Sequence, residues 1–154
     1  MAVVVWRAKT SEDFNKAVAL FKAYEGWASA CPCFDGFERE LSEVSDRYAL
    51  SHGRLWLAGE DREEPFGVVG VKFLGTDTLE LKRLWVEPQG RGKRVGESLI
   101  KKAVEFARSQ GSSSLVLETV PGQMDSAIAL YKRHGFTITN SLPERGTVEM
   151  TCKL

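Results

Sequence analysis

Residues 79–108, LELKRLWVEPQGRGKRVGESLIKKAVEFAR, decide the fold of this chain. The segment Leu79–Val86 has high β-propensity and contains no Gly or Pro, and Pro88 ends the run. From Gly92 onward, apolar residues recur at the spacing of one helical face. The stretch therefore predicts a strand, a tight polar turn and a long amphipathic helix.

The turn between these two elements, Gln89–Gly96, is rich in Gly and basic residues. A glycine-bearing turn that opens a helix leaves backbone N–H groups unpaired, and the helix dipole adds about half a positive charge there. Arg91, Lys93 and Arg94 add full charges, so the turn favours a phosphate or another anion. The dinucleotide-binding pattern does not fit, because Val95 occupies its third Gly position, and the P-loop Gly-Lys-Ser/Thr is absent.

Length and composition indicate one soluble domain over residues 1–154, long enough to bury a core. Hydrophobic residues make up 43% and charged residues 27%, and 21 basic residues balance 21 acidic ones. This balance argues against a nucleic-acid partner, and no apolar run approaches the roughly 20 residues of a membrane helix. Three cysteines argue against a disulfide framework, and the first residues lack a signal peptide. We therefore expect a cytoplasmic protein without membrane partners.

The order of predicted elements is β-α-α-β-β-β-α-β-α-β-β, which indicates a mixed α/β fold with helices on both faces of the sheet. Short turns predict an antiparallel meander of the strands at 54–59, 66–74 and 79–86. The long helix that follows predicts a parallel strand at Leu115–Thr119. The remaining predicted elements are a strand at Val3–Arg7, a first helix weakened by Gly26, a second helix with apolar positions from Phe37 to Tyr48, a helix at Met124–His134, and strands at Phe136–Ile138 and Thr147–Lys153. The first helix has Phe14, Val18, Phe21 and Tyr24 on one side.

Two segments of the chain resemble motifs of the GNAT superfamily of N-acetyltransferases. Arg91–Gly96, which follows Leu84–Pro88, resembles the acetyl-CoA signature Arg/Gln-x-x-Gly-x-Gly/Ala after a Leu-x-Val-x-Pro strand end. Arg94 stands where that signature has its first Gly. Ala127–Phe136 resembles the segment Ala-x-x-Leu-Tyr-x-x-x-Gly-Phe, although Met124 stands where the family often has Asn. The element order of the whole chain also matches this family.

The resemblance implies the GNAT acyl-CoA N-acyltransferase fold, with acetyl-CoA as co-substrate and an amine-bearing small molecule or amino acid as acceptor in a ternary complex. The implied coenzyme-binding residues are Leu84, Trp85, Val86, Arg91, Gly92, Lys93, Arg94, Val95, Gly96, Glu97, Ser98 and Tyr131. Helical φ/ψ does not demand Gly at position 94, so we expect Arg94 to bend away or contact phosphate, and binding to survive.

Acetyl transfer to an amine needs a base, because an alkyl amine with a pKa near ~10 is mostly protonated at neutral pH. Strand alternation predicts Glu80 on one face with Lys82, Leu84 and Val86. Family members often have a catalytic Glu at about this place, so Glu80 is the candidate base. Glu118, in an otherwise apolar strand, is a second candidate.

Tyr131 is the candidate general acid, because it matches the family's Tyr near the coenzyme sulfur. No metal is expected: Cys31-Pro32-Cys33 has no second cysteine pair at metal spacing, and His52 is alone. The loops around Trp27–Gly36 and Leu142–Gly146 are expected to select the acceptor.

Two alternative functions remain open at this point. The departures at Arg94 and Met124 allow a non-catalytic acyl-CoA-binding module. Acetylation of a protein, at a lysine or at the N-terminus, is the other alternative. The chain is expected to be a monomer or a homodimer, with the final strand available to pair across a dimer.

Overall fold

A mixed β-sheet runs through the part of the chain that this computed structural model describes, residues 2–28, 31–49, 51–75 and 77–154. Its strands are β1 (Val4–Arg7), β2 (Gly53–Gly59), β3 (Gly67–Phe73), β4 (Thr78–Val86), β5 (Ser114–Thr119), β6 (Phe136–Leu142) and β7 (Thr147–Lys153). The helices are α1 (Ser11–Ala28), α2 (Phe37–Ser42), α3 (Val44–Arg47), α4 (Val95–Ser109) and α5 (Asp125–Arg133). The strands lie in the order β1-β2-β3-β4-β5-β7-β6, and the predicted mixed sheet is confirmed.

The predicted strand connections are also confirmed. Strands β2, β3 and β4 form an antiparallel meander, and β1 pairs with β2 at one edge. After α4, β5 returns parallel to β4, as the length of the crossover requires. Strand β7 then inserts between β5 and β6 and is antiparallel to both.

The sheet separates two hydrophobic cores. One core lies beneath α4 and α5 and includes Val69, Leu81 and Leu99. The other lies beneath α1, α2 and α3 and includes Val68 and Tyr48. We call these the α4 face and the α1 face of the sheet. Alternate residues of β3 thus enter different cores, as expected for a central strand with both sides covered.

Helix α1 continues through Gly26 and ends before Cys31. Two other helix boundaries differ from the sequence prediction. The helix predicted across 37–48 is broken at Glu43, whose backbone N–H bonds to the carbonyl of Glu40, three residues back. Helix α4 begins at Val95 rather than Gly92, because Gly92 has φ 80° and Arg94 has φ 58°. The expectation of helical φ/ψ at Arg94 is therefore wrong: this residue adopts the left-handed conformation that favours Gly.

A β-bulge in β4 changes which face its side chains occupy. Val68 pairs with Trp85, but Gly70 pairs with Lys82, so the chain gains one residue in β4 at Arg83–Leu84, and Arg83 has φ 59°. Lys82 is on the α1 face, because a Cβ on its partner Gly70 would lie 2.5 Å from Tyr48 Cε1.

Beyond the bulge the alternation is reversed. Leu84 and Val86 pack against the core on the α4 face, whereas Trp85 belongs to the core on the α1 face. The prediction that Glu80, Lys82, Leu84 and Val86 share one face is therefore wrong. The inserted residue shifts the two-residue period of the strand by one position.

Strands β4 and β5 separate towards their C-terminal ends. They pair only from Thr78 with Ser114 to Glu80 with Val116, although β4 continues to Val86 and β5 to Thr119. The sheet therefore has a wedge-shaped opening next to the turn that precedes α4.

The sulfur atoms of Cys31 and Cys33 are joined in a disulfide, and Cys152 is a buried free thiol. The bridge joins two cysteines with one residue between them, so it closes a single loop and is not a disulfide framework across the fold. No helix of the described residues is long and apolar enough to cross a membrane.

Candidate active site

A cavity of about 630 Å³ lies at the wedge between β4 and β5, bounded by the turn before α4 and by α5. Nine of the residues predicted to bind the coenzyme line it: Leu84, Trp85, Val86, Arg91, Gly92, Arg94, Val95, Gly96 and Glu97. The bulge and the separation of the strands make this space, because β4 leaves its neighbour just where the turn approaches. The structure thus brings most of the sequence-predicted binding residues together.

Three arginines line the cavity. Arg91 and Arg94 come from the turn, and Arg133 comes from the last turn of α5. The Arg91 guanidinium lies 5.3 Å from the centre of the Trp85 ring, and its Nε donates to the carbonyl of Val86 over 3.3 Å. Because the N-terminus of α4 opens at the same place, backbone N–H groups and guanidinium groups favour an anion together.

Arg133 was missed by the sequence analysis. Its position two residues after Tyr131, within the segment Ala127–Phe136, was the signal that could have identified it. Helix spacings of three and seven residues put it on the same side as Leu130 and Ser126, which also line the cavity.

Lys93, Ser98 and Tyr131 are not part of the cavity wall. Lys93 Nζ lies 2.8 Å from Glu60 Oε1 and 5.4 Å from the centre of the Phe66 ring, on the side of the β2–β3 loop. Ser98 Oγ donates to the carbonyl of Arg94 over 3.0 Å and supports the turn. Their direct contact with a coenzyme stays a prediction.

Another part of the cavity wall is aromatic and apolar. Tyr24 stacks on Trp85 with ring centres 5.2 Å apart and an interplanar angle of 11°, and Trp27 lies 5.5 Å from Trp85. Met124 closes this wall, and its Sδ accepts a hydrogen bond of 3.5 Å from the Thr119 hydroxyl. Of the described residues, none offers a hydrogen-bond partner to the buried Nε1 of Trp85. An apolar chain that ends in a small polar group suits such a wall.

Tyr131 lies buried behind the cavity wall, where its ring packs 5.7 Å from Phe136, while the adjacent Leu130 lines the cavity. Burial raises the pKa of Tyr131, and the nearby Tyr24 raises it further. Burial also raises the pKa of Tyr24. Both hydroxyls therefore keep their protons at neutral pH and can donate them.

Glu118 is held in place by its neighbours. Arg145 donates to it from Nε over 2.7 Å and from Nη2 over 3.2 Å, and the Thr147 hydroxyl donates over 2.5 Å. Burial alone would raise the pKa of Glu118, but these hydrogen bonds outweigh burial and lower it. Arg145 Nη2 also donates to the carbonyl of Pro32 over 3.2 Å. The two loops expected to select the acceptor are thereby joined.

Glu80 lies half-buried on the α1 face, paired across the strands with Lys72. It does not line the cavity, and in the described residues it has no hydrogen-bond or ion-pair partner. A carboxylate without a fixed partner is available to accept a proton. Its role as a base stays a prediction. Among the described residues, no group of three or more His, Cys, Asp or Glu side chains could hold a metal ion.

Comparison with known proteins agrees with this geometry. The family model "Acetyltransferase (GNAT) family" matches residues 9–136. An uncharacterized N-acetyltransferase of Schizosaccharomyces pombe is 34% identical over 132 residues, which cover 85% of this chain and 80% of that protein. A probable N-acetyltransferase family 8 member 5 of Mus musculus is 36% identical over 112 residues, 70% of this chain and 48% of that protein. The chain thus spans about half the length of this second relative.

Solved structures share the fold. An acetyltransferase from Streptococcus agalactiae superposes with a TM-score of 0.81 at 19% identity, over 99% of this chain and 98% of that one. The paia N-acetyltransferase from Thermoplasma acidophilum, solved in complex with coenzyme A, gives 0.80 at 15% identity over the full length of both chains.

Proposed function

This chain belongs to the acetyltransferase (GNAT) family and is an N-acetyltransferase, and we propose that it transfers acetyl from acetyl-CoA directly to the amine of a small molecule or amino acid. The observation that carries the proposal is the cavity itself. Its arginines, Arg91, Arg94 and Arg133, suit a diphosphate, and its aromatic and apolar wall suits a pantetheine arm and a thioester.

The residues present fit acetyl-CoA, which supplies an activated acetyl thioester when bound. Arg91 and Arg94, with the N-terminus of α4, would hold its phosphates. The end of β4 at Leu84–Val86 lines the cavity and carries backbone groups that the wedge leaves free of β5. A backbone N–H here is the candidate donor to the thioester oxygen.

Two side chains are proposed to move protons. Glu80, unpaired on the α1 face, takes a proton from the acceptor amine, directly or through water. Tyr131 is proposed to protonate the departing thiolate, and its raised pKa means that the hydroxyl carries its proton at neutral pH. The acceptor would therefore approach from the α1 face, while the coenzyme occupies the cavity.

The test is a direct assay of both reaction products. The protein is incubated with acetyl-CoA and a panel of amines, thiol release is followed with a chromogenic disulfide, and the acetylated amine is identified by mass spectrometry. We expect thiol release that depends on the amine and is reduced at least about tenfold in Glu80→Gln. Coenzyme binding by calorimetry without any acetylated product would favour a non-catalytic binding module instead.

A further inference from the structure

Lys82 lies at the edge of the opening between β4 and β5, two residues beyond the last pair of the two strands. The last pair of the two strands is Glu80 with Val116, so Lys82 and Glu118 lie level with each other just beyond it. Leu81, which precedes Lys82, and Leu117, which precedes Glu118, both enter the core on the α4 face. Because side chains alternate along a strand, Lys82 and Glu118 are both on the α1 face. These two side chains therefore border the wedge on the side opposite α4.

This position adjoins the cavity. Leu84, two residues beyond Lys82, lines the cavity, and Thr119, next to Glu118, donates to the sulfur of the cavity residue Met124. A molecule that reacts with a group bound in the cavity and approaches from the α1 face would thus meet Lys82.

Of the three carboxylates near Lys82, Glu118 and Glu40 are already paired with others, whereas Glu80 has no partner of its own in the described residues. Glu118 is bound by Arg145 and Thr147, and the carboxylate of Glu40 takes two hydrogen bonds from Arg83. In the part of the chain that the structure describes, Lys82 itself has no hydrogen bond and no carboxylate oxygen within ion-pair distance. It is nevertheless half-buried. An ammonium group shielded from water without a counter-ion is costly, and an incoming carboxylate would offset that cost.

Glu80 and Lys82 together offer one negative and one positive group on the same face of one strand. Side chains two residues apart on a regular strand are separated by about 6–7 Å along it. Neither group is used by an ion pair in the described residues. The two charges complement a molecule that carries an ammonium and a carboxylate close together.

We propose that the acceptor amine also carries a carboxylate, as an amino acid does, and that Lys82 binds this carboxylate while Glu80 faces the amine. This inference rests on the proposed acetyl transfer and narrows its substrate class. It makes Lys82 a specificity-determining residue and distinguishes free amino acids from amines or protein side chains that lack a nearby carboxylate. The alternative occupant of this face, a lysine side chain within a protein, presents no free carboxylate beside its amine.

The experiment compares each standard amino acid with its own carboxamide, using acetyl-CoA and the full chain. The amine of a carboxamide is less basic than that of the amino acid, so the two substrates differ even without Lys82. The quantity compared between wild type and variants is therefore kcat/KM for the amino acid divided by kcat/KM for its carboxamide. We expect Lys82→Met to lower this ratio at least about tenfold, mainly through KM for the acid, and Lys82→Arg to retain part of it.

Lys72→Met is the matched control, because Lys72 lies on the neighbouring strand beside Glu80 and has no proposed contact with the acceptor. Its ratio should equal that of the wild type, and the melting temperatures of all variants identify any loss of folding. Equal effects of Lys82→Met on acid and amide, or efficient acetylation of amines without a carboxylate, would overturn the inference and leave acetyl transfer intact. Absence of product from every amine would contradict the proposed function, and with it this inference.

Discussion

Arg83 on β4 and Glu40 on α2 form a two-point ion pair inside the protein. Arg83 Nε lies 2.8 Å from Glu40 Oε2 and Arg83 Nη2 lies 2.6 Å from Oε1, and each side chain is only 3% exposed. The guanidinium also lies 4.2 Å from the centre of the Phe34 ring. The pair therefore fixes the bulge residue of β4 against the helices of the α1 face.

Removing either partner should destabilise the fold strongly, because it leaves the other charge buried and unpaired. We expect Glu40→Gln or Arg83→Met to lower the free energy of unfolding by about 3–5 kcal/mol in urea titrations. Arg39→Ala is the control, since its ion pair with Glu43 is exposed and should contribute about 1 kcal/mol or less. Similar decreases in the free energy of unfolding in all three variants would show that the buried ion pair contributes no more than the exposed one.

Acid should destabilise the protein through Glu40. Burial alone would raise the pKa of Glu40, but the hydrogen bonds and charge of Arg83 outweigh burial and lower it. A carboxyl whose pKa is lower in the folded state stabilises the fold at pH values above its pKa in the unfolded chain, which is about 4.3 for Glu. This stabilisation is lost as the pH falls through the pKa in the folded state. The urea midpoint should therefore fall on acidification from about pH 6 towards pH 3. Glu40→Gln should show a shallower pH dependence than Asp46→Asn, a control at an exposed carboxylate.

The left-handed backbone at Arg94 predicts that glycine is more stable there. Arg94→Gly should raise the free energy of unfolding by about 1 kcal/mol, because a residue with a Cβ is strained at φ 58°. Gly92→Ala should have the opposite sign and a similar size, since Gly92 has φ 80° and no atom within 4 Å of an added Cβ. A loss of stability in Arg94→Gly would mean that the arginine side chain itself holds the turn.

Coenzyme affinity should depend on Arg91. Arg91→Glu removes a cation from the cavity wall and adds repulsion, so the Kd for coenzyme A should rise at least about tenfold in calorimetry. Arg108→Glu makes the same change at an exposed position at the far end of α4 and should raise the Kd less than about threefold. Equal effects would mean that only the overall charge matters.

Tyr131 should affect turnover rather than binding. Tyr131→Phe should lower kcat at least about tenfold and leave the Kd for coenzyme A nearly unchanged, because it removes only the proposed proton donor. Tyr48→Phe is the matched control: the Tyr48 hydroxyl is buried in the core of the α1 face without a hydrogen bond in the described residues. An unchanged kcat in Tyr131→Phe would remove Tyr131 from the mechanism.

The sequence was sufficient where a periodic pattern determines structure. The meander, the parallel return of β5 and the apolar stripe of α4 follow from spacing and from connection length, and the structure confirms them. The basic turn was also predicted, because its charges and glycines are contiguous. Nine of the predicted binding residues meet at the cavity for this reason.

The features that sequence reasoning missed depend on one backbone conformation or on distant contacts. The residues around Arg83 are ordinary strand residues and do not indicate the bulge. Arg83 has a left-handed φ, and its side chain pairs with Glu40, which lies 43 positions away in the sequence. Tyr24 reaches the cavity only because α1 crosses the sheet near Trp85. Arg145 pairs with Glu118 across 27 positions of chain, a contact that no local pattern encodes.

Because of the extra residue, β4 borders both the cavity proposed for the coenzyme and the region of the α1 face proposed for the acceptor. Before the bulge, Glu80 and Lys82 would face the acceptor on the α1 face. After the bulge, Leu84 and Val86 line the cavity proposed for the coenzyme, so the two reactants could meet beside β4. Deleting one residue at the bulge would restore regular alternation along the whole of β4. Every second side chain would then lie on the same face of the sheet. The two halves of the chemistry would then be separated by the thickness of the sheet, although no proposed catalytic side chain had been removed.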